Sequence, residues 1–197
     1  MPPAAFAVRV PSGPPRNLLW TVDQFHALGD MGCFEGRRAW LINGVIIEEG
    51  PMNPPHRIAL ELTDNVLRGI FGLGWRVCVQ MPLDVGQNTD PQPDIAIVQG
   101  SPRSSSVHPT TAALVVEVSD SSLRYDITSK AELYATAGIA DYWVLDVDGR
   151  QLWVFRDPAP IPGGGAAYRS QAAFGPTESV APLAAPTSPV RIADLLP

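Results

Sequence analysis

The sequence predicts an α/β domain in which helices pack on a central mixed β-sheet. Two short runs, LVVEV at 114–118 and YWVLDV at 142–147, are rich in β-branched or aromatic residues and have the length of buried strands. Helical patterns occupy 53–70 and 126–137. We therefore expect helices on both sides of a sheet whose strands lie near 76–83, 94–98, 113–118 and 142–147.

The length and composition are those of a folded globular chain. It has 197 residues, of which 45% are hydrophobic, and a mean hydropathy of +0.04. No window approaches the roughly 18 apolar residues of a membrane span, and the N-terminus lacks the continuous apolar stretch of a secretory signal. Cys33 and Cys78 make neither a disulfide framework nor a zinc pattern. We expect a cytoplasmic protein without a membrane segment.

The charge limits the kinds of partner that the chain can have. A net charge of −6 argues against broad, non-specific binding to polyanions. It is compatible with a local basic groove, or with an acidic site that a divalent cation would neutralise.

The first third of the chain predicts an arm, a short helix and a hairpin. Prolines forbid helix over 1–18, so we expect an extended arm there, followed by a single domain over 19–197. Thr21 and Gln24 fit a capping box that opens a short helix. In RAWLINGVIIEE, at 38–49, the Asn-Gly pair is the strongest two-residue signal for a hairpin turn.

The middle of the chain predicts a helix and two strands. Asn53 followed by two prolines is a helix start, and an apolar residue at every fourth position gives that helix one apolar face. Strands follow at 75–85 and 95–98. The apolar positions of the helix are Ile58, Leu62, Val66 and Ile70.

The last third predicts a helix between two strands, then a hairpin and a loop. The helix runs over 126–137 and ends at Gly138. After the strand at 142–147, the pair Asp148-Gly149 turns the chain back into an antiparallel strand. A Pro/Gly/Ala-rich loop excursion is expected over 157–187, and a small amphipathic segment, SPVRIADLL, docks back at the end.

Glu117 is the residue that draws attention to function. Alternate side chains of a strand share a face, so Glu117 lies inside a run that otherwise reads as buried. A lone ionised carboxylate in such a position costs several kcal/mol unless something pairs with it.

Two further charged residues converge on the same region of the predicted fold. Asp94 follows a proline at the start of one buried strand, and Glu117 lies inside the next. Lys130 is three residues from Ile127 and four from Tyr134, so it shares the packed face of its helix and points inward. Two carboxylates and an ammonium directed at one place predict a Mg²⁺ site with a charged assistant.

These motifs resemble a known family. Pro93-Asp94, E-V-S at 117–119, D-x3-K-x3-Y from Asp126 to Tyr134 and AGI-x-x-YW-V-x-D at 137–146 are similar to the Uma family of restriction endonucleases, within the PD-(D/E)XK nuclease superfamily. The resemblance covers roughly 21–155 and the SPVRIADLL ending. It implies a restriction-endonuclease-like α/β (α+β) fold with an N-terminal helix and hairpin.

The resemblance also implies roles for individual residues. Asp94 and Glu117 would be metal ligands, with the backbone carbonyl of Val118 as the third, for Mg²⁺ or Mn²⁺. Ser119 stands where the superfamily has its lysine, and in this family the lysine is displaced to the following helix, which fits Lys130. Glu48, in the opening hairpin, is the candidate for an additional acidic residue of the catalytic site.

Each candidate also has a structural interpretation. Asp94 can cap a turn, Glu117 can pair with Arg124 or Lys130, and Lys130 can be a surface partner of Asp126. Other candidates have equally plain alternatives: an exposed strand end for Glu48 and Glu49, core packing for Tyr134 and Trp143, and structural or solvated histidines at His56 and His108.

The implied function is a metal-dependent endonuclease that hydrolyses phosphodiester bonds in DNA as a homodimer, since two sites then meet two strands. The alternative is a catalytically weak or inactive nuclease-fold module that acts in nucleic-acid or protein interaction. The net negative charge supports it, as do Trp40 and Val45, which stand where the family commonly carries acid.

Overall fold

A six-stranded mixed sheet forms the centre of the computed structural model, which describes residues 14–104 and 107–197. In spatial order its strands are β3 (Trp75–Val79), β4 (Ile95–Gln99), β5 (Leu114–Ser119), β6 (Asp141–Asp146), β7 (Gln151–Pro160) and β8 (Ala166–Phe174). Only β5 and β6 are parallel, and all other neighbours pair antiparallel. The predicted α/β class with a mixed sheet is confirmed.

The opening helix and hairpin also form as the sequence predicts. Helix α1 (Val22–Asp30) begins with a complete capping box between Thr21 and Gln24. Strands β1 (Arg38–Ile42) and β2 (Val45–Glu49) pair antiparallel around the Asn-Gly turn. Both turn residues have positive φ, 49° and 78°, which is the conformation that Asn and Gly tolerate best.

Helix α2 (Pro54–Ile70) starts at the predicted proline pair, but its buried face differs from the predicted one. Ile58 is exposed and the other predicted positions are only partly buried. The buried face carries an alanine, a threonine and a histidine besides two leucines, so the spacing of the large apolar residues alone does not reveal it. The buried residues of α2 are His56, Ala59, Leu60, Thr63 and Leu67.

A helical crossover joins β5 to β6, as a parallel pair requires. The expected helix at 126–137 is present but is not uniform. An α-helical turn, α3 (Leu123–Tyr125), leads into a π-helix (Asp126–Lys130) and then into α4 (Ala131–Thr136). Single π turns inside helices are rare and frequently occur at functional sites.

The prediction of a loop over 157–187 is largely wrong. Strand β7 continues to Pro160 and pairs with β8, so only a tight turn separates them. Pro158 and Pro160 are tolerated because they lie beyond the last β6–β7 pair, Asp141↔Arg156. In this part β7 pairs with β8 alone, so it is an edge strand there. The predicted strand at 75–85 is also shorter, since β3 ends at Val79.

The C-terminal segment docks back on the domain as expected. Strands β9 (Ser179–Val180) and β10 (Val190–Arg191) pair antiparallel, and a short 3-10 turn follows over Ile192–Asp194. The apolar side chains of this segment join α2 and one face of the sheet in a common core. They are Val180, Val190, Ile192, Leu195 and Leu196.

The other face of the sheet carries a second core, built with the hairpin and α4. Within residues 14–104 and 107–197, no helix combines the length and apolar character needed to cross a membrane. Most of the predicted arm, residues 1–13, lies outside the described residues. The division into an arm and a single domain over 19–197 stays a prediction.

Candidate active site

Strand pairing brings Asp94 and Glu117 together. In the β4–β5 ladder Ile95 faces Val116, so the next residues along the two strands, Asp94 and Glu117, are neighbours. The backbone N–H of Asp94 donates to Glu117 Oε2 at 3.4 Å, and both side chains are buried. The carboxylates therefore lie beside the first residue of β4, where β5 continues past the ladder.

Asp94 also contacts the backbone of the neighbouring strand. The Val118 N–H donates to Asp94 Oδ2 at 2.9 Å. The N–H and C=O of one strand residue point to the same side of the strand. The Val118 carbonyl therefore points to the side of β5 on which Asp94 lies.

Lys130 completes the cluster from the crossover helix. Its ammonium lies 3.0 Å from Glu117 Oε2 and 3.2 Å from Asp126 Oδ1. Both contacts considered from the sequence are thus present at once, and neither is on the surface, since the Lys130 residue is only 8% exposed. Lys130 is the single lysine of the chain, against thirteen arginines.

Further side chains hold the two carboxylates in place. The Tyr134 hydroxyl, four residues after Lys130, donates to Glu117 Oε1 at 2.7 Å. On the other side, His56 Nε2 lies 3.3 Å from Asp94 Oδ1, and Gln80 Nε2 donates to the same oxygen at 3.2 Å. Tyr134 is part of the core, as expected, but its phenol oxygen faces the site.

The sequence favours a structural or solvated role for His56 and does not single out Gln80. The sequence holds one signal for His56: it lies three and four positions before Ala59 and Leu60, the helical spacing of a shared face, and the structure buries all three. No local pattern marks Gln80, whose positive φ of 50° breaks β3 beside the site. His108 is exposed on its loop.

Glu48 lies away from the carboxylate cluster. Its exposed side chain pairs with Arg37 at 3.3 Å. The next residue, Glu49, points to the other face of β2, where its half-buried side chain pairs with Arg38 at 3.1 Å and senses the charges of the cluster. The structure therefore favours Glu49 over Glu48 as the acidic neighbour of the site.

Trp40 lies against the lysine. The ammonium of Lys130 is 5.8 Å from the centroid of the Trp40 ring, within the range of a cation–π contact. Trp40 thus forms an apolar wall where the sequence comparison expected an acid, while Val45 is half exposed on the hairpin.

The two carboxylates titrate differently because their partners differ, although burial acts to raise the pKa of both. Burial raises the pKa of Glu117 to about 7, although Lys130 and the Tyr134 hydroxyl pull it down. Burial also acts to raise the pKa of Asp94. The hydrogen bond and charge of His56, together with the Val118 N–H, outweigh burial, so the pKa of Asp94 is lowered. Asp94 in turn raises the pKa of His56.

The ammonium of Lys130 keeps its proton despite burial. Desolvation alone would lower its pKa, but the charges of Glu117, Asp126 and Asp94 raise it. At neutral pH the site therefore holds a cationic lysine, an ionised Asp94 and a partly protonated Glu117.

The donor set suits a hard divalent cation. Within the described ranges, no group of three or more His, Cys, Asp or Glu side chains is arranged to hold a metal ion. Two carboxylates and a peptide carbonyl at one strand end are oxygen donors, the kind that Mg²⁺ and Mn²⁺ prefer. Mg²⁺ commonly takes one or two carboxylates and keeps several waters.

Comparison with known proteins identifies the family. A family model described as "Putative restriction endonuclease", Uma2, matches residues 22–189. The chain belongs to the Uma2 family. This confirms the resemblance seen in the sequence motifs, and the family is one whose description is that of a restriction endonuclease. No curated protein matches the chain.

A solved structure shares the fold of this Uma2 family member. It is described as a "putative nuclease belonging to DUF820" from Anabaena variabilis ATCC 29413. The TM-score is 0.70 at 16% sequence identity, and the match covers 89% of this chain and 96% of the other. The restriction-endonuclease-like architecture is therefore that of an existing nuclease-fold structure.

Proposed function

We propose that this Uma2 family member is a divalent-metal-dependent endonuclease that hydrolyses phosphodiester bonds in DNA. The observation that carries the proposal is the buried cluster of Asp94, Glu117 and Lys130, with Lys130 Nζ 3.0 Å from Glu117 Oε2. Burying three charges together is costly, and the sheet could be built more simply with apolar residues at these positions. A catalytic role explains why charged residues occupy these buried positions.

Asp94, Glu117 and the carbonyl of Val118 would hold Mg²⁺ or Mn²⁺. When bound, such a cation polarises a phosphate oxygen and lowers the pKa of a bound water. His56 and Gln80 support this role by fixing the orientation of the Asp94 carboxylate, and Tyr134 does the same for Glu117.

Lys130 supplies the positive charge of the site. Its ammonium is a compact point charge that can orient a water or stabilise the charge that develops on phosphate. The contact with Glu117 keeps it next to the candidate ligands, and the Trp40 ring excludes water from one side of it.

DNA and a dimeric state belong to the same proposal. The family description names restriction endonucleases, and cutting a duplex requires attack on two strands, which a two-fold dimer provides with two equal sites. Analytical ultracentrifugation of the protein with and without duplex DNA tests this part. A strict monomer that cuts both strands contradicts the dimer and leaves the chemistry untouched.

A plasmid cleavage assay tests the proposed reaction. Supercoiled DNA is incubated with wild type, Asp94→Ala or the control Asp148→Ala, in Mg²⁺, Mn²⁺ or chelator. Asp148 is an exposed residue of the turn between β6 and β7. We expect nicked or linear DNA from wild type and the control with either metal, and none from Asp94→Ala. DNA binding without cleavage by wild type would instead support an inactive interaction module.

A further inference from the structure

Asp126 is a second buried acid that touches the candidate active-site lysine. It is 1% exposed, and its Oδ1 lies 3.2 Å from Lys130 Nζ. Among the described residues, Oδ1 has no hydrogen-bond partner. The ammonium of Lys130 is therefore the positive group that compensates this oxygen.

Two hydrogen bonds and the local helix geometry fix the position of Asp126 without involving Glu117. Its Oδ2 accepts a 2.5 Å hydrogen bond from the Ser122 hydroxyl. Its backbone carbonyl accepts one from the Tyr142 hydroxyl of β6 at 2.9 Å. The π-helix from Asp126 to Lys130 places the two charged groups at opposite ends of one turn, on the side that faces the sheet.

The charges of the site explain why a second acid is needed. Lys130 is shared between Glu117 and Asp126. If the charge of Glu117 is taken up by a divalent cation, its attraction for the ammonium weakens, and the cation repels the ammonium directly. The Asp126 carboxylate then remains as the group that keeps the lysine in place.

We propose that Asp126 is a positioning residue that holds the Lys130 ammonium beside Glu117, above all when a cation shares the charge of Glu117. The inference rests on the proposed function, because it gives a reason for the acid only if Asp94 and Glu117 bind a metal. It goes beyond that function in assigning to Asp126 a role that acts through the lysine.

The single lysine of the chain makes this proposal directly measurable. An amine-reactive ester modifies Lys130 and the α-amino group of the purified chain, and peptide mapping by mass spectrometry separates the two. We expect Lys130 to react slowly in wild type, with or without Mn²⁺. In Asp126→Asn, which keeps the shape of the side chain, we expect modification about tenfold faster with Mn²⁺ and a smaller increase without it.

A matched variant separates positioning from general loosening. Asp141 is another fully buried acid of the same sheet region, and it pairs with Arg156 Nε at 2.8 Å. Asp141→Asn should leave the reactivity of Lys130 at the wild-type level. An equal rate in Asp126→Asn and wild type with Mn²⁺, or an equal increase in both variants, overturns the proposal. This readout needs no cleavage, so it is independent of whether wild type cuts DNA.

Kinetics provide the second measurement, in an enzyme shown to cut. Asp126→Asn should lower kcat about tenfold while KM for DNA and the affinity for Mn²⁺ change less than about twofold. On a Lys130→Met background the same change should have no further effect, because a residue that acts through the lysine has nothing left to position. An additive loss in the double variant contradicts the assignment.

Discussion

The hydroxyl of Tyr134 and the ammonium of Lys130 contact different oxygens of one carboxylate, Oε1 and Oε2 of Glu117, at 2.7 Å and 3.0 Å. The two residues are four positions apart on the crossover helix, so they share one helical face. A single helix face therefore orients Glu117 and favours its charged form against the effect of burial, and this arrangement yields the first prediction.

Tyr134→Phe should weaken Mn²⁺ binding at neutral pH by roughly threefold to tenfold. The hydroxyl favours the charged form of Glu117, so without it the carboxyl keeps its proton to higher pH. The deficit should shrink as the pH is raised. Calorimetric titration at several pH values checks this, with Tyr168→Phe as a control, because that hydroxyl donates to the Ile139 carbonyl instead.

Asp94→Asn and Glu117→Gln should each abolish Mn²⁺ binding and leave the fold intact. Each change removes the charge of one candidate ligand and conserves its shape. Calorimetry measures the binding, and circular dichroism checks the fold. Unchanged affinity in both variants would falsify the assignment of the metal ligands.

Glu117→Gln should stabilise the metal-free protein above pH 7. The pKa of Glu117 is raised from 4.5 to about 7 in the folded chain, mainly by burial. Between these values the folded chain holds a proton that the unfolded chain has lost, so stability falls as the pH rises through that window. At pH 8 we expect the melting temperature of Glu117→Gln to exceed that of wild type by about 5 °C.

The same experiment has an internal control. At pH 4 the glutamate is protonated in both the folded and the unfolded chain, so the two proteins should melt at similar temperatures. Added Mg²⁺ should then raise the melting temperature of wild type only. A lower melting temperature for Glu117→Gln at pH 8 would favour a purely structural ion pair with Lys130.

Lys130→Met should fold and bind Mn²⁺ but cut DNA about 10²-fold more slowly or worse. Methionine keeps most of the aliphatic length of the side chain and deletes the charge. Lys130→Arg should rescue only in part, because a planar guanidinium does not replace a point charge in a closed site. Cleavage by Lys130→Met at the wild-type rate contradicts a catalytic role.

Glu49→Gln should lower the pKa of His56, whereas Glu48→Gln should leave it unchanged. The charge of Glu49 contributes to the raised pKa of His56, and Glu48 lies on the opposite face of β2 with Arg37. Titration of the histidine ring protons by NMR measures this, since the chain has only three histidines. Equal effects of the two variants contradict the placement of Glu49.

Much of the architecture could be predicted because local signals and tertiary structure agree. The Asn-Gly turn, the capping box at Thr21 and the buried strand at 114–118 are each encoded within a few residues. The convergence of Asp94, Glu117 and Lys130 followed from strand alternation and helix periodicity. Their chemical roles remain predictions.

Other features depend on contacts that no local pattern contains. Which of the two adjacent glutamates of β2 turns toward the site depends on how the whole hairpin lies on the sheet. The strand pair at 151–174 contains prolines and glycine-rich flanks that normally indicate a loop. This strand pair forms because the first half of β7 is already hydrogen-bonded to β6.

The pairing at the start of β4 has a consequence for refolding of the protein. Where the β4–β5 ladder stops, the Asp94 carboxylate accepts the Val118 N–H and so takes the position of the next backbone rung. A slip of β5 by one residue would turn Glu117 to the opposite face. The proposed metal ligands Asp94 and Glu117 would then be separated even in a chain that keeps its secondary structure. On the proposed function, we expect refolded preparations with a slipped β5 to lose Mn²⁺ binding while keeping their circular dichroism spectrum.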